Sequence, residues 1–376
     1  MAGIYIHIPF CRQRCNYCDF YKSLNTSLMQ QFLPALLKEA NVRKNYLQNE
    51  AVETIYFGGG TPSVLQPPEI GAILEVLQQL FSVKINAEIT LEANPDDLSP
   101  EYLSAIKMQG VNRLSVGIQA FQDVHLKSMN RRHNVVQAER AIKDAADAGF
   151  RNISVDLIYG LPGLTPKQWQ ESLDKVARLP VQHLSAYHLT YHEGTVFYAR
   201  LKNGKLKEVN ENESVEQFNR LADSATAGGF EQYEISNFAR HEMYSQHNSA
   251  YWMGKKYLGL GPSAHSFDGV SRRWNVPDVE TYINALKNGI SYSDEEILSE
   301  DDCFNEYILT RIRTKWGISF SFIDERFGNA KLIYLKKQLQ KYDHSGMLLK
   351  KNDTVCLTHK GLFVSDEIMA DLMIVE

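Results

Sequence analysis

The chain has 376 residues, 44% hydrophobic and 23% charged, a globular composition with length for one large domain and a smaller one, which argues against wholesale disorder. A formal net charge of −5 gives no electrostatic ground for binding nucleic acid, which is held mainly by Lys and Arg on phosphates. No apolar run approaches the roughly 20 residues of a membrane-spanning helix, no secretory leader is legible before Ile4, and five cysteines in a chain this long do not make a secreted disulfide scaffold, so a cytoplasmic location is expected.

Six β-rich runs come first in chain order: Ile4–Ile8, Thr54–Phe57, Glu88–Leu91, Arg113–Val116, Asn152–Leu157 and His183–Leu189. Between them Ser27–Asn49, Pro68–Leu80, Pro100–Gln109, Val135–Ala148 and Pro166–Leu179 read as helices. Such alternation is the pattern of βα units on a parallel sheet, so the expected fold is α/β, a partial barrel. Ser99-Pro100 and Thr165-Pro166 each put a capping oxygen before Pro at the first helical position, and Thr165 with Gln168 makes a capping box. Gly110 and Gly149 follow two helices where a left-handed residue is wanted.

A further helix near Glu213–Ala227 leads to Gly228-Gly229 and a strand over Gln232–Asn237. Residues 238–276 then read as irregular and rich in Gly, His and aromatics, and long structureless stretches inside a domain are usually functional. From residue 290 the pattern turns helical and closes with Leu348–Lys350, Thr354–Leu357 and a last helix after Thr358, a small winged-helix-like domain. The expected division is a barrel over 1–237, a connecting segment over 238–289 and a mainly helical domain over 290–376. Lys331, Lys336, Lys337, Lys341, Lys350 and Lys351 read as a solvated helix face, with an acidic partner or membrane surface as the alternative.

Cys11, Cys15 and Cys18 crowd into eight residues directly after the first strand, at what would be the C-terminal mouth of the barrel, where such folds build their sites. Three thiolates suit a [4Fe–4S] cluster and leave its fourth iron open. The amino and carboxylate groups of S-adenosylmethionine (SAM) can chelate that iron, and reduction then breaks the S–C5′ bond to give a 5′-deoxyadenosyl radical. The alternative is a zinc site or plain buried thiols, but zinc wants a fourth Cys or His, and His7 lies on the wrong side of Pro9. Cys303 and Cys356 stand in apolar surroundings and read as buried structural thiols.

Gly58, Gly59 and Gly60, before Thr61-Pro62, follow the second strand and let backbone amides approach a ligand, here the SAM amine, although a tight turn would use the same residues. Glu92, Gln119 and Asp156 recur where later strands end, and a carboxylate in an apolar strand needs a partner or a ligand. Glu92 and Asp156 are candidates for the hydroxyls or amine of SAM and Arg131 for its carboxylate. Taken singly, each reads equally as a satisfied structural group.

The run Tyr5–Cys11, the Gly-Gly-Gly-Thr-Pro element, Glu92-Ala93-Asn94-Pro95, Gly117-Ile118-Gln119, Asp156–Pro162 and Leu357-Thr358-x2-Gly361 resemble the oxygen-independent coproporphyrinogen oxidase family of radical SAM proteins over nearly the whole chain. That resemblance implies a three-quarter (β/α)6 TIM-type barrel, with Tyr5, Tyr17, Gly59, Gly60, Thr61, Glu92, Gln119, Arg131 and Asp156 as SAM contacts and Tyr17 beside the adenine. Two departures point away from the oxidases themselves: Phe20 stands where they carry a further Cys, and four residues precede Tyr5 where they carry an arm. His247-Asn248-x2-Tyr251-Trp252 instead matches the signature of the family's haem-chaperone branch.

In that motif His247 offers an axial ligand and Tyr251 and Trp252 flat faces for a macrocycle, with a packed aromatic loop around a structural His as the alternative. His265 is a weaker second ligand and His241 weaker still. The resemblance implies haem as cargo, respiratory haem proteins as recipients and a haem donor protein, with a homodimer and peripheral membrane association as further partner expectations. Its rivals are radical decarboxylation of coproporphyrinogen III propionates and an RNA-modifying enzyme with a winged-helix reader, the latter at odds with the acidic charge.

Overall fold

The computed structural model describes residues 2–375, so Met1 and Glu376, at the ends of the expected domain spans, lie outside the described residues. Six parallel strands, β1 Ala2–Ile8, β2 Val52–Gly59, β3 Val83–Ala93, β4 Arg113–Gln119, β5 Ile153–Tyr159 and β6 His183–His188, stand side by side in chain order. A strand that returns parallel needs a crossover. It is supplied by helices α1 Met29–Val42, α2 Pro67–Leu80, α3 Pro100–Met108, α4 Asp123–Ser128, α5 Val135–Asp147 and α6 Pro166–Arg178. Six of the seven residues in β1 and in β5 are buried, which is why these strands read as continuous apolar runs rather than alternating ones.

The sequence signals act where they were read. Ser99 accepts from the Tyr102 amide, Thr165 and Gln168 cap one another, and Gly110 and Gly149 hold positive φ after their helices. The helix expected over Ser27–Asn49 ends at Val42, and the chain turns through Gln48 and Asn49 at positive φ. The barrel is open. After α7 Val196–Lys202 and α8 Glu211–Ala227, a short antiparallel pair, β7 Glu231–Gln232 and β8 Asn237–Ala239, covers the β6 edge in place of the single strand expected over Gln232–Asn237.

Residues 238–276 are not irregular. They form α9 Gln246–Trp252, β9 Lys256–Leu260, β10 His265–Phe267 and β11 Ser271–Asn275, and after α10 Val279–Asn288 comes β12 Ser293–Ile297. β9 runs parallel to β1 and continues the barrel sheet on its other edge, and the antiparallel β10, β11 and β12 extend it further. Buried Glu39 of α1 fixes this extension, accepting from the Gly261 amide at 2.8 Å, the Asn275 amide at 2.7 Å and the Tyr282 hydroxyl.

The last part of the chain has its own core around Phe304, Ile308, Ile312, Ile323 and Leu335. Its order is α11 Glu300–Ile312, β13 Ile318–Ser319, α12 Phe320–Phe327, α13 Asn329–Leu339, β14 Leu348–Lys351 and β15 Thr354–Leu357, the helix and strand order of a winged helix, followed by α14 His359–Phe363 and α15 Ser365–Leu372. Leu362 packs against both cores, and Arg272 pairs with Glu306 at 2.6 Å across the joint.

Candidate functional site

The loop after β1 has little regular structure but is tied down along its length. The Cys11 amide bonds Ser23 O at 3.0 Å, Asn16 donates to the Ser128 and Met129 carbonyls at the end of α4, and Lys22 Nζ reaches Cys18 O at 2.8 Å. Cys11 is buried and Cys15 and Cys18 half-buried, all free thiols lining one cavity of about 460 Å³ at the C-terminal mouth of the strands. Thr61 Oγ1 donates to Cys11 Sγ at 3.3 Å and Arg131 Nη1 to Cys15 Sγ at 3.4 Å. Burial raises the Cys11 thiol pKa and the Thr61 contact opposes that rise. Among the described residues no group of three His, Cys, Asp or Glu converges closely enough for one metal ion. The ligands of a cubane bind different irons and stand apart, so this donor set fits a cluster.

The glycine loop packs against the cysteine loop. Gly59 has φ +105°, and a Cβ on Gly60 would lie 2.8 Å from Phe10 O, so the close approach of these backbones needs glycine. Gly59, Gly60, Thr61, Tyr17, Glu92, Gln119, Arg131 and Asp156 all line the cluster cavity. Strand register pairs Glu92 with Ser115 and Asp156 with Ser185, so two carboxylates descend the same inner wall. Burial pushes Glu92 up to about 7, against the Tyr56 hydroxyl that donates to it at 2.8 Å, and pushes Asp156 up to about 6, against Arg113 and Ser115. Arg131 donates to Asn94 at 2.6 Å and Gly117 O at 2.7 Å, while its buried Nε has no partner.

Sequence reasoning missed Tyr56, Ser115 and Arg113 on this wall. Arg113 is buried 3.9 Å from Glu88 with Nε and Nη1 otherwise unpartnered. A charged residue at the start of an apolar strand was the available signal. Tyr5 does not itself line the cluster cavity but flanks its wall: a Cβ on Gly58 would meet the Tyr5 ring at 2.9 Å and Glu92 Oε1 at 3.2 Å. It lies in the wall of a second cavity, 6.1 Å from the Tyr56 ring and within 3.4 Å of His7 Nδ1.

The His247-Asn248-x2-Tyr251-Trp252 motif folds as α9, and the helix points its members in three directions. Asn248 lines the cluster cavity; Tyr251 and Trp252 line the second cavity, of about 960 Å³, between the sheet extension and the C-terminal domain. His247 faces neither. It is 1% exposed, with Nδ1 2.7 Å from Thr54 Oγ1 and Nε2 2.8 Å from the Tyr251 hydroxyl. Burial and Arg113 lower its pKa to about 3. With both ring nitrogens engaged, the axial role expected of His247 would require one of these hydrogen bonds to be given up. His265 lines the second cavity, whereas His241 is exposed and lines neither. Cys303 and Cys356 are half-buried rather than buried, and Cys303 too lines the second cavity.

The radical SAM superfamily model matches residues 5–176, and the HemN C-terminal domain model matches residues 298–364. Escherichia coli coproporphyrinogen III oxidase (HemN), a radical SAM enzyme, superposes over 99% of this chain and 90% of its own with a TM-score of 0.86; at 24% identity this shows a shared fold. The heme chaperone HemW of Bacillus subtilis is 33% identical over 98% of each chain, and that of Mycobacterium tuberculosis H37Rv is 31% identical over 99% of this chain and 94% of its own. With relatives of this identity along its full length, above a cysteine loop and glycine loop that meet at the mouth of the barrel, the chain belongs to the HemW family of radical SAM proteins.

Proposed function

We propose that the chain is a haem chaperone: it holds a [4Fe–4S] cluster on Cys11, Cys15 and Cys18, binds SAM in the cluster cavity and carries haem to respiratory haem proteins in the cytoplasm. The observation that carries this reading is the full-length likeness to heme chaperones, which spans the barrel, the sheet extension and the C-terminal domain alike.

A bound cluster of this kind supplies one open iron and one electron to the SAM sulfonium. The chain's own residues do the rest. Gly59, Gly60 and Thr61 offer a close backbone surface to the methionyl end, Arg131 offers a cation beside Cys15 for its carboxylate, and Glu92 and Asp156 are acceptors for its ammonium and ribose hydroxyls. Tyr17, packed on the barrel core, provides a flat face for the adenine. A haem donor protein, a homodimer and contact with a membrane surface belong to the same proposal. Among the described residues no helix is long and apolar enough to cross a membrane.

Phe20, 68% exposed, occupies the place where the oxidases carry a further cysteine, which disfavours porphyrinogen oxidation. The test is to purify the chain without air, measure iron, sulfide and the EPR signal with and without SAM, and titrate with haem. A parallel incubation contains coproporphyrinogen III, SAM and reductant. A SAM-sensitive cluster signal, a haem Soret band and no decarboxylated porphyrin are expected. Accumulation of the decarboxylated product overturns the chaperone assignment.

A further inference from the structure

None of the three loop cysteines lines the second cavity. At about 960 Å³ it lies at the upper end of pockets for small molecules and cofactors, roughly 300–1,000 Å³. One wall is Tyr251, Trp252 and Tyr257 from the sheet side; the other is Phe322 and Phe327 of α12. Tyr251 is held edge-on to Tyr257 at 4.5 Å between centroids, and its hydroxyl is anchored by His247. Phe322 is 42% exposed although it stacks on Tyr307 at 4.5 Å, so an aromatic face remains open to an incoming ligand. Opposed aromatic walls contributed by two cores suit a flat, largely apolar molecule entering between them.

The charges select further. Lys255, Arg272, Arg311 and Arg326 line the cavity against a single carboxylate, Glu306, which Arg272 already engages. Arg326 makes no ion pair among the described residues and rests over the Phe327 ring at 5.2 Å. The excess of cations around apolar walls asks for a flat ligand with carboxylates at its rim.

His265 supplies a metal donor. Its register opposite Trp274 in β11 places it in the cavity wall, its ring is backed by that indole at 6.3 Å and 28°, and among the described residues neither ring nitrogen has a hydrogen-bond partner. Partial burial and Arg272 hold its pKa below the ordinary histidine value, which favours the neutral, ligating form at neutral pH. His7, the other imidazole here, is instead engaged by Tyr21 O at 3.2 Å.

We infer that this cavity between the sheet extension and the C-terminal domain is where the chain holds its haem, with His265 as the iron ligand and Arg326 receiving a propionate. The inference rests on the haem-chaperone reading and assigns that cargo to a place other than His247.

The test is a titration of the full-length, cluster-loaded chain with haem and, separately, with metal-free protoporphyrin IX. In His265→Ala the Soret maximum should shift and haem affinity fall about tenfold or more, while metal-free porphyrin affinity changes by less than about threefold and added imidazole restores the Soret position. Phe322→Asp, on the opposite and partly exposed wall, should weaken haem and metal-free porphyrin together by about tenfold with iron and sulfide unchanged. A wild-type Soret position and affinity in His265→Ala overturns the ligand assignment. Unchanged affinity for both porphyrins in Phe322→Asp overturns the cavity. A wild-type chain that binds haem in neither oxidation state sinks the chaperone reading itself, and this inference with it.

Discussion

The cluster cavity and the aromatic cavity touch at Phe20, which lines both, yet they are built in opposite ways. The first is a charged hollow whose groups are held by short hydrogen bonds and arrive in register from the ends of neighbouring parallel strands, as Glu92 with Ser115 and Asp156 with Ser185. The second is an aromatic gap rimmed by cations whose walls come from α9, β10 and α12, elements of two cores joined by ion pairs such as Arg272–Glu306 and Arg313–Glu234. A site for a charged cofactor is thus fixed by one stretch of barrel, whereas a site for a flat apolar cargo depends on how two bodies are set against each other.

That contrast breaks most sharply if removing the cluster also removes cargo binding. Cys15→Ala is expected to abolish the cluster, with iron and sulfide falling nearly to background, and to leave metal-free porphyrin affinity within about threefold of wild type. Collapse of porphyrin binding in the same protein would mean that the loop from Cys18 to Phe20 holds both cavities open. Arg131→Met comes next. It removes a buried cation that contacts Cys15, Asn94 and Gly117. SAM affinity measured by calorimetry should fall at least about tenfold, as expected for losing a charged hydrogen bond of roughly 1.5–3 kcal/mol, with haem binding untouched.

His247 distinguishes the structural reading of the motif from the ligand reading. His247→Ala strands the Thr54 hydroxyl in the core and leaves a hollow beside Tyr251. A loss of roughly 3–5 kcal/mol in stability is expected, in line with a large-to-small core change plus an unpaired polar group. Denaturant unfolding measures it. A variant of wild-type stability that has lost its Soret band would restore His247 as the iron ligand.

The same contrast explains what could be read from the sequence. Strands such as β1 and β5 bury both faces, so their apolar runs announce themselves, and the cysteine and glycine loops follow β1 and β2 directly; the position of the barrel mouth was therefore legible. The sheet extension was not. β9 is five residues long with a glycine inside it, and its partner β1 lies about 250 positions earlier, a pairing that no local pattern carries. The haem-type motif was read as residue types without direction. On a helix, adjacent residues diverge by about 100°, so His247 turns into the core while Asn248 faces the cluster cavity.

The smallest expected effect tests whether the cluster cavity is as charged as its residues imply. Glu92 is half-buried in the cavity wall, and desolvation there raises its carboxyl from 4.5 to about 7. Between those values the folded chain holds a proton that the unfolded chain has released. Unfolding therefore releases protons, and stability falls as pH rises from about 4.5 to 7 and stays at its lowered level above that. The full difference is at most about 3 kcal/mol for one group, at about 1.4 kcal/mol per unit. Asp156, raised from 3.8 to about 6, adds a decline of the same sign in a lower window. Glu92→Gln should remove its share of the decline, flattening thermal stability between pH 6 and 7 relative to wild type and leaving only the shallower slope of Asp156 below pH 6. If both proteins lose stability in parallel between pH 4.5 and 7, Glu92 is already ionised in the folded chain. Its charge must then be matched by a cation within the cavity, with Arg113, whose Nε and Nη1 lack hydrogen-bond partners, the nearest candidate.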